Sequence, residues 1–393
     1  MARTGSFEDW LGRQLSEWTA LGRLRTPRVM PDARCFCSND YLGLAGDPGF
    51  AREVSSRIAG LPSGAGASRL IAGTLPCHAA LESELAQWLG TEKTLFFANG
   101  YAANLGLLSA LGTAGARFFS DALNHASIID GIRLGRGPCD VYRHLDLQHL
   151  GELLAASSGH GGPRVVVTEA IFSMDGDVAP LEPLVALCGR HGAVLIVDEA
   201  HSLGVRGRGG RGLCDELGLA EQVDVRMGAC GKAFGSVGAF VACSEPLATF
   251  LYNRARSFVF STAPPPAVVE AVRAALPYLE AGDRQARLHE RVADLSSALS
   301  RRGWWSTPAQ SPIFPIGVRT PERAVALAAA LLEEGFFVHP VRPPTVPEGT
   351  SRLRVTVTSE HSRDEIEAFA EGLSRAAARV GLSPDTARGS GTA

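Results

Sequence analysis

Apolar positions recur along this chain with two different periods, and the period changes from segment to segment. Between Phe7 and Leu24, Trp10, Leu11, Leu15, Trp18 and Leu21 share one helical face. This predicts an amphipathic helix that ends before Pro27. Its apolar stripe must lie on the body of the molecule or on a second subunit. RCFCSNDYLGL (34–44) reads as a strand running into a turn at Ser38, Asn39 and Asp40. A glycine-rich and serine-rich loop around Arg69, GAGASRLIAG (64–73), follows, then His78 and an amphipathic helix through Leu89. The loop is long enough to touch a ligand. Short apolar runs then begin at Thr94, Arg117, Cys139, Arg164 and Ala193, with helical stretches between them. Strands alternating with helices from about 94 to 245 predict a mostly parallel sheet.

Beyond Val241 the pattern loosens. The prolines at 264–266 open one predicted long helix over about 267–301, with Val269, Val272, Leu276 and Leu279 on its apolar face. Then come a strand (311–318), a helix (320–334), two strands (336–341 and 351–358) and a helix (362–380), which predict a smaller α+β unit. The expected organisation is an N-terminal segment (1–45), a large domain (46–278), a small domain (279–382) and a polar, disordered tail (383–393). The fold class is α/β.

Composition narrows the function classes. A chain of 393 residues accommodates one large domain and a smaller one. A net charge of -3 gives no reason to expect nucleic acid or an anionic membrane as partner. No segment approaches the roughly 20 apolar residues of a membrane helix, and Phe7–Arg25 is too interrupted by charge for a signal peptide. Eight cysteines, at 35, 37, 77, 139, 188, 214, 230 and 243, form no C-x-x-C pair and no zinc-like spacing. A soluble protein of the reducing cytoplasm, with no bound metal, is expected. Cys230 reads as a small buried filler rather than a nucleophile.

The candidate chemistry centres on MGACGKAFGSVGAF (227–240), where Lys232 sits among Gly228, Gly231, Gly235 and Gly238. Glycines let a backbone approach a ligand closely, and a buried lysine suits Schiff-base chemistry. Taken alone, a lysine in a glycine-rich loop is more often a surface turn. Upstream, AVLIVDEAH (193–201) runs an apolar strand into Asp198 and His201. Ligands of open α/β sheets sit at the carboxyl ends of strands. Asp198 is then either a helix cap or the carboxylate that keeps a pyridine nitrogen protonated, making the ring an electron sink. Asn99-Gly100-Tyr101, between a strand and a helix, is either a routine turn or an anion site built from free N–H groups. Asn39 and His125 are each read either as structural loop residues or as neighbours of a flat ligand.

Assembled in order, these stretches resemble the α-oxoamine synthase family of fold-type I pyridoxal-phosphate enzymes. The likeness spans residues 35–375 and rests on SNDYLGL (38–44), GAGASRLIAGT (64–74), NGYAAN (99–104), NHAS (124–127), TEAIFSMDGD (168–177), VDEAH (197–201), GKAFG (231–235), FST (260–262) and RPPTVPEGTSRLRVTVT (342–358). It implies pyridoxal 5′-phosphate as cofactor, bound covalently by Lys232, which also moves the substrate α-proton. Asp198 meets the pyridine nitrogen, and His125 stacks on the ring. His201 and Ser173 serve the phenolic oxygen, while Gly100 and Tyr101 contact phosphate. Glu169 supports the ring pocket. Thr262 reaches the phosphate of a second subunit, implying an obligatory homodimer with the active site at the interface. Arg354, with Asn39 nearby and Arg352 as fallback, holds the amino-acid carboxylate. The last motif points to the branch of biotin synthesis that condenses L-alanine with a pimeloyl thioester, carried by coenzyme A or by an acyl carrier protein. Within the family, glycine or serine with another acyl thioester is the alternative. Two positions depart from the pattern. Ala229 stands where a hydroxyl commonly binds phosphate, and Gly22 stands where an arginine meets the distal carboxylate in some members, with Arg23 or Arg25 as substitutes.

Overall fold

The computed structural model describes residues 6–385; most of the tail expected at 383–393 lies outside them. One unit runs from Asn39 to His289 and includes 358–360. It is built on a seven-stranded sheet: β1 (Lys93–Phe97), β2 (Arg117–Asp121), β3 (Cys139–Tyr142), β4 (Arg164–Glu169), β5 (Val194–Asp198), β6 (Val225–Ala229) and β7 (Ala239–Cys243). The spatial order is β1-β7-β6-β5-β4-β2-β3. From β3 to β6 the strands are parallel, and β7 is antiparallel to both of its neighbours. Residues 230–238 between β6 and β7 are too few for a crossover, so this pair closes as a hairpin instead. Val165–Glu169 is buried throughout, as expected of a strand covered on both faces. Separate apolar clusters hold the helices to the sheet, one containing Leu107, Leu108 and Ile128, the other Leu150, Leu154 and Leu184.

Two helices set the position of the cleft described below, Gly100–Thr113 and Ala126–Gly135. They pack backbone to backbone. A Cβ at Gly131 would lie 2.8 Å from the Asn104 carbonyl, and one at Gly112 would lie 2.9 Å from the Gly135 Cα. Close approach therefore needs glycine at these places.

The second unit comprises residues 6–38, 290–357 and 361–385. Its antiparallel sheet has Ser351–Thr356 between His339–Val341 and Ile313–Arg319. Phe36, Leu295, Phe314, Leu327, Leu353 and Phe369 belong to its core. The N-terminal segment joins this unit through Arg34–Cys35, which pairs in parallel with Phe336–Phe337. The helix Phe7–Ala20 is capped by Ser6 and buries none of its residues; Trp10 and Trp18 stay about half exposed, at 50% and 54%.

Two expectations are corrected. The helix predicted over 267–301 is two helices, Pro266–Ala281 and Asp283–Arg301. Gly282 between them is left-handed, with φ +74°, and caps the first helix; apolar periodicity on both sides conceals the break. The strand predicted over 336–341 is likewise two pieces that pair with different partners. Within the loop 64–73, Arg69 is buried and forms a two-pronged ion pair with Glu82, at 2.9 and 2.8 Å, so its role is to brace the loop. Among the described residues, no helix is long and apolar enough to cross a membrane.

Candidate functional site

The carboxyl ends of β4, β5 and β6 open onto a cleft of about 240 Å³. Glu169 ends β4 and Asp198 ends β5, and the two are register partners. Asn39, Asn99, Gly100, Tyr101, His125, Ala229, His201 and Lys232 also line the cleft. Residues from six separate stretches of sequence thus converge on one side of the sheet.

Lys232 sits in the β6–β7 connection. The loop is closed by Cys230 N–H to the Gly238 carbonyl (2.8 Å) and Ser236 N–H to the Cys230 carbonyl (3.1 Å). The glycines around it serve different ends. A Cβ at Gly228 would lie 2.3 Å from the Phe240 ring, and one at Gly238 would lie 2.3 Å from the Phe96 ring. Both accommodate the protein's own core, and Gly238 also lines the cleft. Gly231 lines the cleft too, and a Cβ there would meet nothing nearer than 3.8 Å.

Asp198 is held from two sides. Its Oδ1 accepts the Ala200 N–H (2.9 Å), and its Oδ2 accepts Asn104 Nδ2 (2.8 Å). Asn104 Nδ2 also donates to Ser127 Oγ (3.0 Å), which meets His125 Nδ1 at 2.8 Å. A continuous chain therefore links the Asp198 carboxylate to the His125 ring. Burial pushes His125 below its ordinary value; Asp198 opposes this, and Lys232 reinforces it. At neutral pH the ring is uncharged. Next in sequence, Glu199 forms a buried ion pair with Arg226 (2.6 Å), which fixes the exit of β5 to β6. His201 Nδ1 meets the Tyr41 hydroxyl at 2.7 Å.

Glu169 accepts the backbone N–H groups of His125 and Ser173, and its buried Oε1 has no partner among the described residues. Burial pushes its carboxyl up to about 8; the Asp198 charge adds to this, and Lys232 opposes it. At the far wall, Asn99 caps the helix Gly100–Thr113 by accepting the Ala102 N–H, and its carbonyl takes the Ala103 N–H. The Gly100 and Tyr101 N–H groups of the first turn are left for an anion. The Tyr101 hydroxyl bonds Asp130.

Other expected site residues lie elsewhere. Ser173 is buried in the turn after β4. Thr262 is exposed, pairs with Ser68 in an isolated bridge, and does not line the cleft of its own chain. Arg352 and Arg354 are buried in Ser351–Thr356 of the second unit. In that unit Arg23 forms an ion pair with Glu348, and Arg25 donates to Thr345 Oγ1 (2.8 Å). Tyr41, Asn104 and Ser127 carry site contacts that the sequence reading did not assign. Each lies inside a motif already singled out. For Asn104 the signal was an amide in the otherwise apolar helix stretch ANLGLL.

Residues 34–373 match the family model described as aminotransferase class I and II. The chain belongs to that family. The chain is also similar to curated relatives named 8-amino-7-oxononanoate synthase. The one from Anaeromyxobacter dehalogenans is 45% identical, covering 93% of this chain and 94% of the relative; the one from Geobacter sulfurreducens is 43% identical, covering 94% and 97%. A serine palmitoyltransferase of Sphingomonas wittichii superposes with a TM-score of 0.89 at 31% identity, over 97% of this chain and 100% of that one. An SPT structure solved with PLP gives a TM-score of 0.87 at 30% identity, over 95% and 98%. This aminotransferase-family chain therefore has the fold-type I architecture, is a PLP-dependent acyltransferase of the α-oxoamine synthase kind, and uses pyridoxal 5′-phosphate. The cleft fits that cofactor: it combines an amine, a fixed carboxylate, an unsatisfied buried oxygen on Glu169 and a helix N-terminus suited to phosphate.

Proposed function

We propose that the enzyme condenses L-alanine with a pimeloyl thioester, releasing CO2 and free thiol and forming 8-amino-7-oxononanoate in biotin synthesis. The observation that carries this substrate choice is the 45% identity, along 93% of the chain, to a relative bearing that product's name. Bound cofactor supplies an electron sink for negative charge on the amino-acid Cα. Asp198, held in place through Asn104 and Ala200, is assigned to the pyridine nitrogen. His201 and Ser173 are assigned to the phenolic oxygen, and Gly100 and Tyr101 to phosphate. His125, whose neutral form burial favours, would meet the ring face, and Glu169 would support the pocket. Lys232 Nζ would hold the cofactor, and would then take the α-proton and return it. Such positioned proton transfer contributes about 10²–10⁴-fold. Arg354 is assigned the amino-acid carboxylate, with Asn39 assisting and Arg352 as the alternative. Arg23 is assigned the distal carboxylate of the acyl chain. Two copies form the working unit, with Thr262 of the partner subunit completing the phosphate site. Coenzyme A or an acyl carrier protein brings the acyl group, and the cytoplasm is the proposed compartment.

The serine palmitoyltransferase neighbours favour a second reading, in which serine meets a longer acyl thioester. Mass spectrometry of products from alanine, glycine and serine, each with a panel of acyl thioesters, separates the two. Alanine with pimeloyl thioester is expected to turn over at least tenfold faster than any other pair, and Lys232→Ala to yield no product. A preference for serine with a long chain would replace the reading.

A further inference from the structure

Cys35 and Cys37 flank the fully buried Phe36 in the second unit. Side chains alternate along a strand, so the two thiols share the face opposite Phe36. Their sulfurs lie 3.7 Å apart, and both residues are half-buried. Of the other six cysteines, Cys139 is exposed and the remaining five are buried. The surroundings of the pair are asymmetric. Cys35 Sγ faces the Cys37 thiol and accepts the backbone N–H groups of Cys37 and Ser38. Two backbone donors converging on one sulfur favour a thiolate in the way a backbone nest holds an anion. Cys37 faces the His339 backbone N–H and the Arg354 guanidinium.

We propose that Cys35 and Cys37 form a reversible dithiol–disulfide site that exchanges with a low-molecular-weight disulfide such as oxidised glutathione. The Cys35 thiolate attacks one sulfur of that disulfide. A mixed disulfide forms, and one glutathione thiolate leaves. Cys37 then gives its proton to solvent, and its sulfur attacks Cys35 Sγ. The second glutathione leaves as thiolate. Two protein thiols are oxidised to one disulfide, and one glutathione disulfide is reduced to two thiols.

The supporting chemistry is consistent. The hydrogen bond with Cys37, opposed by burial and aided by the two backbone N–H groups, brings the Cys35 thiol down to about 6. The same bond raises Cys37, which keeps it a thiol until the first exchange has occurred. The strand itself is pinned. Phe36 N–H donates to the Phe337 carbonyl (2.9 Å), Thr356 N–H donates to the Phe36 carbonyl (2.7 Å), and His361 Nε2 meets the Cys35 carbonyl (3.0 Å). Closing the sulfurs to roughly 2.04 Å therefore falls to side-chain torsions. A bond made against a fixed backbone is readily reduced again. Closure also replaces a thiolate–thiol pair close to Arg354 with a neutral disulfide.

The test uses the full-length holoenzyme in graded buffers of reduced and oxidised glutathione at pH 7.5, followed by acid quench, alkylation and peptide mass spectrometry. An internal Cys35–Cys37 disulfide is expected, reversed by excess reduced glutathione. Cys37→Ser should accumulate glutathione on Cys35, whereas Cys35→Ser should load Cys37 at least tenfold more slowly. Iodoacetamide should label Cys35 at nearly the same rate at pH 7 and pH 8, while labelling of Cys139 in the same sample rises about tenfold. The proposal is overturned if Cys139 takes up glutathione while both Cys35 and Cys37 remain alkylatable in the most oxidising buffer.

Discussion

Asn104 links three functional side chains through one amide. Its Nδ2 donates to both Asp198 and Ser127, and Ser127 bonds His125. Replacing it by alanine strips a charged carboxylate of a donor, a loss of about 1.5–3 kcal/mol. Asn104→Ala is therefore expected to weaken pyridoxal-phosphate binding about tenfold or more, measured as the cofactor dissociation constant by absorbance titration. An unchanged constant would mean that Ala200 N–H alone suffices for Asp198. Glu169 calls for a pH experiment. Its folded-state value of about 8 exceeds the ordinary 4.5, so charging it opposes folding. The stability associated with its proton is fully present below about pH 4.5 and is lost as pH rises through about 8. Glu169→Gln cannot ionise. Urea denaturation should therefore find the variant gaining on the parent by up to a few kcal/mol between pH 5 and pH 9. A constant difference across that range would show that Glu169 is not protonated in the folded enzyme.

At the scale of elements, the helices Gly100–Thr113 and Ala126–Gly135 cross so closely that glycine is required at their contact. Their starts carry Gly100, Tyr101, Asn104 and Ser127, so helix spacing is also site geometry. Gly131→Ala would place a methyl 2.8 Å from the Asn104 carbonyl. Backbone cannot yield as a flexible side chain does, and overpacking of this kind costs about 1–3 kcal/mol. The variant is expected to lose that much in urea denaturation and to bind cofactor more weakly, because Asn104 is displaced. Loss of stability with unchanged cofactor affinity would separate the helix contact from the site. Element boundaries were the less legible part of the sequence. Gly282 divides a stretch whose apolar spacing continues on both sides, and no local pattern distinguishes a left-handed cap there from an interior glycine.

At the scale of the whole molecule, several apolar side chains remain uncovered within one chain. Phe7 is 70% exposed and Phe260 72%. Trp10 and Trp18 stand half-exposed on a helix that buries nothing, and Thr262 faces solvent two residues from Phe260. Large apolar side chains left exposed are found at association surfaces. Sedimentation equilibrium of the holoenzyme is expected to give twice the 41.4 kDa chain mass. A fully active species at 41.4 kDa would remove the proposed role of Thr262 in the partner subunit.

The sequence by itself determined the alternation of strands and helices, the mostly parallel sheet and the motif residues of the cleft. These follow from short-range periodicity and from residue types set at strand ends. Lys232, Asp198, His125 and Gly100 were legible because each follows a recognisable strand or loop signal. Only the tertiary structure decided that Gly228 makes room for Phe240 rather than for a ligand, and that Gly238 borders both Phe96 and the cleft. It alone joined Asp198 to His125 through Asn104 and Ser127, gave His201 the Tyr41 hydroxyl, and placed Glu169 beside Asp198 in a buried site that raises its carboxyl. Each of these depends on which distant residue fills the neighbouring space and on how much water is excluded there. Neither quantity is encoded in the spacing of residues along the chain.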